Sequence, residues 1–120
     1  ALTEPFTVHF TITNLRFTTD LGTPHSAKFN STAKIMQYYI EPLLQKSSIS
    51  PYFIGCKAAG FRSGRERHHT GVDAVCSYQN DVSLASFNRE VVYHELSTMT
   101  KGVTKLGHYS LEKKSLYVDG

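Results

Sequence analysis

One stretch decides the fold of this 120-residue chain: Phe6-Thr-Val-His-Phe-Thr-Ile-Thr13, in which apolar and polar residues alternate strictly. Successive side chains of a β-strand point to opposite faces, so the alternation predicts a strand with one buried side and one solvent-facing side. The predicted buried side carries Phe6, Val8, Phe10 and Ile12. The first predicted element is therefore a strand that needs a core along one face.

Two later segments have the three-and-four spacing of amphipathic helices. In the first, we expect Asn30 to be the N-cap, because its side-chain oxygen can accept from the free amides of the first turn. Pro42 is expected to kink or end that helix, since it lacks an amide and crowds the preceding turn. In the second, Asn88 is the expected cap and Gly102 the expected left-handed residue after the helix. The apolar stripes consist of Ala33, Ile35, Met36, Tyr39, Ile40, Leu43 and Leu44, and of Val92, Leu96, Met99 and Val103.

Two β-rich runs, residues 52–61 and 72–78, flank a polar loop bounded by glycines and predict a hairpin. The midpoint between Cys56 and Cys76 is Glu66, at the centre of the loop. Symmetric pairing about Glu66 would place the cysteines directly opposite one another, at a separation that a disulfide can span. We therefore predict a Cys56–Cys76 disulfide, with two buried free thiols as the alternative.

A last strand is predicted at residues 109–112 or 115–118, and the second segment is the better candidate. The order strand, helix, strand, strand, helix, strand predicts a ferredoxin-like α+β sandwich, with a four-stranded antiparallel sheet and two helices on one face. No internal repeat or linker interrupts it, so we expect residues 1–120 to form a single domain. This fold hosts many unrelated functions and does not decide this one.

The charge pattern argues against a nucleic-acid partner. The net charge is only +3, and dedicated binders concentrate their basic residues on one face. RNA-binding domains of this topology also need exposed aromatic residues on the third strand, whereas residues 72–78 contain one aromatic and one acid. A solvated hairpin tip is the simpler interpretation of the one dense basic cluster, and a loop that binds proteins or acidic glycans is the alternative. The cluster consists of Arg62, Arg65, Arg67, His68 and His69.

Nothing in the sequence predicts catalysis, a metal site or a cofactor. The six histidines lack ligand spacing, and no phosphate loop or nucleophile motif is present. No run of about 18 apolar residues occurs, so we expect no direct membrane contact from this segment. The first residues lack the basic and apolar regions of a signal peptide, so we expect the chain to be an excerpt of a longer protein.

The triplet Asn30-Ser31-Thr32 is the only N-glycosylation sequon in the sequence. Such triplets also arise by chance in proteins that are never glycosylated. The paired cysteines give this one weight, because disulfides form in the oxidising compartments through which secreted proteins pass. We therefore predict Asn30 as a glycosylation site.

Several segments resemble the SEA domains of membrane-tethered mucins. They are Phe-Thr-Ile-Thr-Asn-Leu at residues 10–15, Thr-Gly-Val-Asp-Ala-Val-Cys at 70–76, Arg-Glu-x-x-Tyr-x-Glu-Leu-Ser at 89–97, and Leu-Gly-x-Tyr with Ser-Leu-Tyr-Val-x-Gly within 106–120. The resemblance implies the same topology and the same Cys56–Cys76 disulfide. It also implies a heavily glycosylated extracellular chain, tethered to the plasma membrane and open to shedding, that acts as a structural spacer in epithelial surface protection and adhesion.

Many SEA domains cleave themselves at a Gly-Ser bond in the hairpin between the second and third strands. A strained backbone there presents the serine hydroxyl to the preceding carbonyl. In this chain the corresponding residues are Gly71 and Val72, and valine has no nucleophile. We therefore expect neither autoproteolysis nor any other enzymatic activity, and a self-cleaving domain is the less favoured alternative.

Mucin SEA modules often carry Asn-Phe-Thr on the first strand. This chain has Pro-Phe-Thr at residues 5–7 and His-Phe-Thr at residues 9–11 instead. A partner that recognises glycans on this strand would find none. We therefore do not expect mesothelin, a glycan-dependent partner of such mucins, to bind this isolated domain.

Overall fold

The computed structural model describes residues 2–80 and 87–120. Its strands are β1 (Leu2–Ile12), β2 (Phe53–Ser63), β3 (Thr70–Asn80), β4 (Lys105–Leu106), β5 (Tyr109–Ser110) and β6 (Tyr117–Asp119), and its helices are α1 (Thr19–Gly22), α2 (Ala27–Gln45) and α3 (Arg89–Met99). Four strands form an antiparallel sheet in the order β2-β3-β1-β6, and the helices pack on one face of it. This is the ferredoxin-like arrangement, so the predicted fold class is confirmed.

The alternation along β1 produces the core as predicted. Phe6, Val8, Phe10 and Ile12 are each at most 3% exposed, whereas their neighbours remain partly accessible. Because β1 pairs with β3 on one side and β6 on the other, its apolar face lies at the centre of the sheet. The strand is longer than the periodic stretch indicated, since its first four residues are mostly exposed and carry little pattern.

The predicted N-cap of the first long helix is wrong. Helix α2 begins at Ala27, and Ser26 is its cap, with Ser26 Oγ accepting from the amide of Phe29 at 3.0 Å. Asn30 instead lies one turn inside the helix, where its amide donates to the Ser26 carbonyl at 2.9 Å. Ser and Asn cap with similar strength, and the extended backbone of Ser26 decides between them.

Pro42 does not end α2, because the helix continues to Gln45. A proline removes the hydrogen bond to the carbonyl four residues earlier, which here belongs to Tyr38. Both Tyr38 and Pro42 are exposed, so water can solvate that carbonyl. The cost of the proline is thereby small enough for the last turn to form.

The second long helix follows the sequence more closely. The side chain of Asn88 caps α3 by accepting from the amides of Glu90 and Val91 at 3.0 and 3.2 Å, which confirms the predicted cap. Gly102 has the predicted positive φ, at 77°. The last strand is β6, so the second of the two candidate segments is confirmed. The other segment contributes β5, which forms a separate two-stranded ribbon with β4.

The hairpin of β2 and β3 contains a β-bulge at Ala59, which has no partner on β3. Beyond the bulge, Cys56 lies directly opposite Cys76. An uninterrupted ladder from the loop would place Lys57 opposite Cys76 and turn its side chain toward the core. The bulge therefore keeps the lysine outside and the cysteine inside.

Candidate functional site: the β2–β3 hairpin and its flanks

The disulfide lies under the middle of the hairpin. Cys56 and Cys76 are bonded, with 3.9 Å between their Cα atoms, and they are 3% and 1% exposed. The bond accounts for both cysteines of the sequence. The predicted disulfide is confirmed, and it joins the two strands on the side that faces the helices.

Gly71 and Val72, the residues predicted to correspond to the cleavage bond, lie in a regular part of the sheet. Gly71 pairs with Thr11 on β1 and with Arg62 on β2. Val72 likewise pairs with Phe10 on β1 and with Phe61 on β2. The Val72 side chain is 0% exposed and belongs to the core. The neighbouring hydroxyl, that of Thr70, donates to the carbonyl of Leu15 at 2.6 Å. Position 72 thus carries a buried apolar side chain, and the nearby hydroxyl of Thr70 is already engaged in its hydrogen bond to Leu15.

A polar network crosses three strands on the opposite, solvent-facing side of the sheet. Asp73 on β3 accepts from Arg62 of β2, with Arg62 Nη2 3.0 Å from Asp73 Oδ1 and Arg62 Nε 3.2 Å from Asp73 Oδ2. Nδ1 of His9 on β1 lies 2.6 Å from the same Oδ1. Burial alone would raise the pKa of Asp73, but hydrogen bonds from Arg62 and then His9 outweigh it and hold the pKa below 3.8. The spacing of residues did not indicate this network, although the correct register places Asp73 directly opposite His9 and two residues along β3 from Gly71, the residue opposite Arg62.

The same network brings a hydroxyl, an imidazole and a carboxylate into line. His9 Nε2 lies 3.1 Å from Thr7 Oγ1, while its Nδ1 faces Asp73. A nucleophile triad has this order of groups, but it also needs a site that excludes water and donors for the oxyanion. His9 and Asp73 are each about 30% exposed on the open face, and Arg62 occupies the carboxylate. The arrangement fits a brace between strands better than a catalytic group.

The structure divides the predicted basic cluster into two parts. Arg65, Arg67 and His68 are exposed in the loop between β2 and β3. Arg62 belongs to β2 and pairs with Asp73, and only 13% of the His69 side chain is exposed. Three of the five predicted side chains are therefore free to meet a partner at the tip.

His69 ties the loop to the rest of the domain. Its Nε2 lies 3.2 Å from Glu66 Oε2, and its Nδ1 is 3.9 Å from Glu112 Oε1. Nδ1 is buried and has no hydrogen-bond partner among the described atoms. The backbone of His69 also closes the loop, because its carbonyl accepts from Gly64 at 3.1 Å. These contacts give the exposed basic residues a defined base.

Asn30 is exposed and lies beside a trough between α2 and β2. The trough has a volume of about 340 Å³ and is lined by Asn30, Ala33, Lys34, Gln37, Lys57 and Ala58. A second cavity of about 550 Å³ adjoins it, because both share Gln37 and Lys57 as walls. No sequence pattern predicts this trough, because it depends on how α2 packs against the sheet.

Within residues 2–80 and 87–120, no group of three or more His, Cys, Asp or Glu side chains is placed to hold a metal ion. In the same part of the chain, no helix has the length and apolar character needed to cross a membrane.

A comparison with protein families identifies a match over most of the chain. The model of the SEA domain family matches residues 4–112, from the beginning of β1 to just beyond β5. The matched region contains the whole β2–β3 hairpin, including the disulfide and the Gly71–Val72 bond.

Proposed function

This chain belongs to the SEA domain family, and from that membership we propose that it is a non-catalytic structural spacer in the extracellular part of a membrane-tethered mucin. SEA domains are extracellular and generally non-catalytic modules. The observation that carries the proposal is the Gly71–Val72 bond, which lies in a regular ladder with the valine side chain buried. A module that stays intact across its hairpin transmits tension and keeps its neighbours apart.

Absence of self-cleavage is the first part of the proposal. Acyl transfer from a backbone carbonyl needs a hydroxyl or thiol next to it, and Val72 supplies neither. The ladders on both sides of residues 71–72 also hold that peptide in extended geometry, so little strain is available to drive the reaction. Both features support an uncleaved domain.

The mucin context is the second part. The four segments that resemble mucin SEA domains are similar to those of mucin-16, the ovarian-carcinoma-antigen mucin, and we propose that parent protein. A spacer in such a protein would stand at the epithelial surface, tethered to the plasma membrane until shedding, and would serve protection and adhesion. The disulfide supports an oxidising, extracellular setting.

Glycosylation of Asn30 is the third part. In this modification Nδ2 of Asn30 bonds to C1 of the first sugar, the amide loses one proton, and the lipid-pyrophosphate carrier of the oligosaccharide leaves. The exposure of Asn30 on α2 supports it, since the attached glycan can reach solvent. Because β1 carries no sequon, we expect no binding of mesothelin to glycans on that strand.

Intact mass of the domain secreted from mammalian cells tests the first and third parts, the uncleaved chain and the glycan on Asn30. Reduction is essential, because a cut before Val72 falls between Cys56 and Cys76 and the disulfide would keep both halves together. We expect one full-length species after reduction, two hydrogens lighter before it, and heavier by one glycan until deglycosylation. Two fragments after reduction, with a new amino terminus at Val72, would refute the structural proposal.

Glycan binding by the hairpin loop is the second candidate function. It is favoured by one observation, the exposure of Arg65, Arg67 and His68 on a loop fixed at its base. Binding to a sulfated oligosaccharide at about physiological ionic strength tests it, because non-specific charge attraction is largely screened there. The double variant Arg65→Ala/Arg67→Ala should abolish binding, while the equally charged control Lys46→Ala/Lys105→Ala should keep it. Equal loss in both variants would mean that net charge alone is responsible.

A further inference from the structure

Among residues 2–80 and 87–120, strand β2 forms one edge of the sheet, so half of its backbone groups have no strand of that part of the chain beside them. The amide of Cys56 points away from β3, because it donates to Oε2 of Glu41 on α2 at 2.8 Å. Amide direction in an antiparallel pair repeats every two residues, and the register is regular from Cys56 to Ala58. The amide of Ala58 therefore points toward α2 as well, into the trough beside Asn30.

The trough has the chemistry of a carbohydrate site. It is lined by two small apolar residues, Ala33 and Ala58, and by the polar residues Asn30, Lys34, Gln37 and Lys57. A sugar ring has an apolar face and a rim of hydroxyl groups, which matches a lining that combines small apolar residues with polar ones. The volume of about 340 Å³ lies in the range of small-ligand sites. Asn30 is one of the lining residues, so the first sugar of a glycan attached there already lies at the trough.

We propose that the N-linked glycan on Asn30 folds back into this trough, with its first sugars covering the free edge of β2. The inference rests on the proposed extracellular function, which supplies the glycan. Sugar hydroxyl and acetamide oxygens accept from the Ala58 amide and from the ammonium group of Lys34. The glycan then accepts a hydrogen bond from the Ala58 amide, as the Glu41 carboxylate does from the Cys56 amide. With both amides occupied, the edge is protected from pairing with another strand.

A second copy of the domain is a less suitable occupant of this edge. The register of β2 is irregular on both sides of Cys56, between Phe53 and Gly55 and between Ala58 and Gly60, so it offers only a short regular template. Glu41 also occupies the Cys56 amide that such a partner would need.

Amide hydrogen exchange of glycosylated protein, followed residue by residue by NMR, tests the inference. The glycan is trimmed enzymatically to its first sugar or left long, and Asn30→Gln provides the unglycosylated form. As the matched control, the double variant Asn30→Gln/Lys46→Asn moves the sequon to the other end of α2, where Ser47 and Ser48 follow. We expect the Ala58 amide to exchange roughly three- to tenfold more slowly with the glycan on Asn30 than in either variant.

Three results would overturn the inference. Equal exchange at Ala58 in all forms, with an occupied Asn30 confirmed by mass, would mean that the glycan points into solvent. An unmodified Asn30 in the secreted protein would remove the occupant while leaving the uncleaved spacer intact. Concentration-dependent protection of Ala58 in Asn30→Gln, together with a dimer in sedimentation, would assign the edge to a second copy. Cleavage at Val72, by contrast, would contradict the proposed function but not the binding of the glycan in the trough.

Discussion

His9 and Asp73 face each other across β1 and β3, with 2.6 Å between His9 Nδ1 and Asp73 Oδ1. Arg62 reaches the same carboxylate from β2, so one side chain is held by donors on both neighbouring strands. The hairpin edge and the central strand are thereby joined on the solvent-facing side. On the opposite side, the disulfide joins β2 to β3. The sheet is braced on both faces near the hairpin.

The first prediction concerns the Asp73 carboxylate and pH. Because the folded-state pKa lies below 3.8, the ionised form stabilises the fold above the unfolded pKa, and this contribution is lost as pH falls through the folded pKa. We expect Asp73→Asn to lower the free energy of unfolding by roughly 0.5–1 kcal/mol near neutral pH, since the pair is partly exposed. The wild type and the variant should converge as pH falls below 3.8.

Urea unfolding at several pH values measures this difference. The control is Asp119→Asn, which removes an exposed carboxylate of β6 outside the network. A difference between wild type and Asp73→Asn that stays constant down to strongly acidic pH would show that the carboxylate contributes through packing instead of charge.

The second prediction concerns the disulfide. It closes a loop with a sequence separation of 20 residues, for which the chain-entropy estimate is about 3 kcal/mol. The free energy of unfolding of the double variant Cys56→Ser/Cys76→Ser should therefore be lower by about that amount, plus a small cost for burying two hydroxyl groups. The variant should accordingly unfold at a lower urea concentration. Adding reductant should destabilise the wild type to a similar degree and leave the variant unchanged. A loss below about 1 kcal/mol would mean that the unfolded chain is already compact around these residues.

The hairpin shows what a sequence pattern can predict about a fold and what it cannot. Pairing about Glu66 predicted the correct cysteine partners, but the ladder next to the loop follows a different register, and the bulge at Ala59 compensates for it. Gly55 and Gly60, isolated glycines within β2, were the available signals for its two irregularities. The periodic elements were predictable because their burial repeats over many residues. Helix α1 and the β4–β5 ribbon were not, because four and two residues are too few for a period.

The candidate site depended on tertiary packing and was less predictable. The basic residues looked equivalent in sequence, yet Arg62 is held by Asp73 and His69 is largely buried near Glu112. These contacts join residues far apart along the chain, and no local spacing encodes them. The trough beside Asn30 likewise exists only once α2 has packed on β2.

The third prediction tests which residue begins α2. Because Ser26 Oγ accepts from the Phe29 amide, Ser26→Ala should cost about 1 kcal/mol of unfolding free energy. Asn30→Ala should change it by less than about 0.5 kcal/mol, since the Asn30 side chain is exposed within the helix. Both variants are best compared in unglycosylated protein, so that the sequon has no influence. If Asn30→Ala lowers the free energy of unfolding more than Ser26→Ala does, then Asn30 and not Ser26 caps the helix.

The fourth prediction is that restoring a nucleophile does not restore self-cleavage. Val72→Ser recreates the Gly-Ser sequence of cleaving SEA domains at residues 71–72. Cleavage also needs a strained peptide, and residues 71–72 lie in regular ladders with both neighbouring strands. The new hydroxyl would be buried among apolar side chains, and the substitution would lower the free energy of unfolding by about 2 kcal/mol or more. We expect a destabilised but intact chain.

Intact mass after reduction, followed over days, decides this point. Val72→Thr adds a hydroxyl while keeping the branched shape of valine, so it separates the effect of the hydroxyl from that of the lost volume, and we expect it to stay intact as well. Val72→Ala controls for the lost volume, since it should destabilise the fold without supplying any nucleophile. If Val72→Ser separates into two fragments at residue 71 while Val72→Ala stays whole, the backbone at this bond holds enough strain for acyl transfer. The missing hydroxyl would then be the sole reason that the natural chain remains uncleaved.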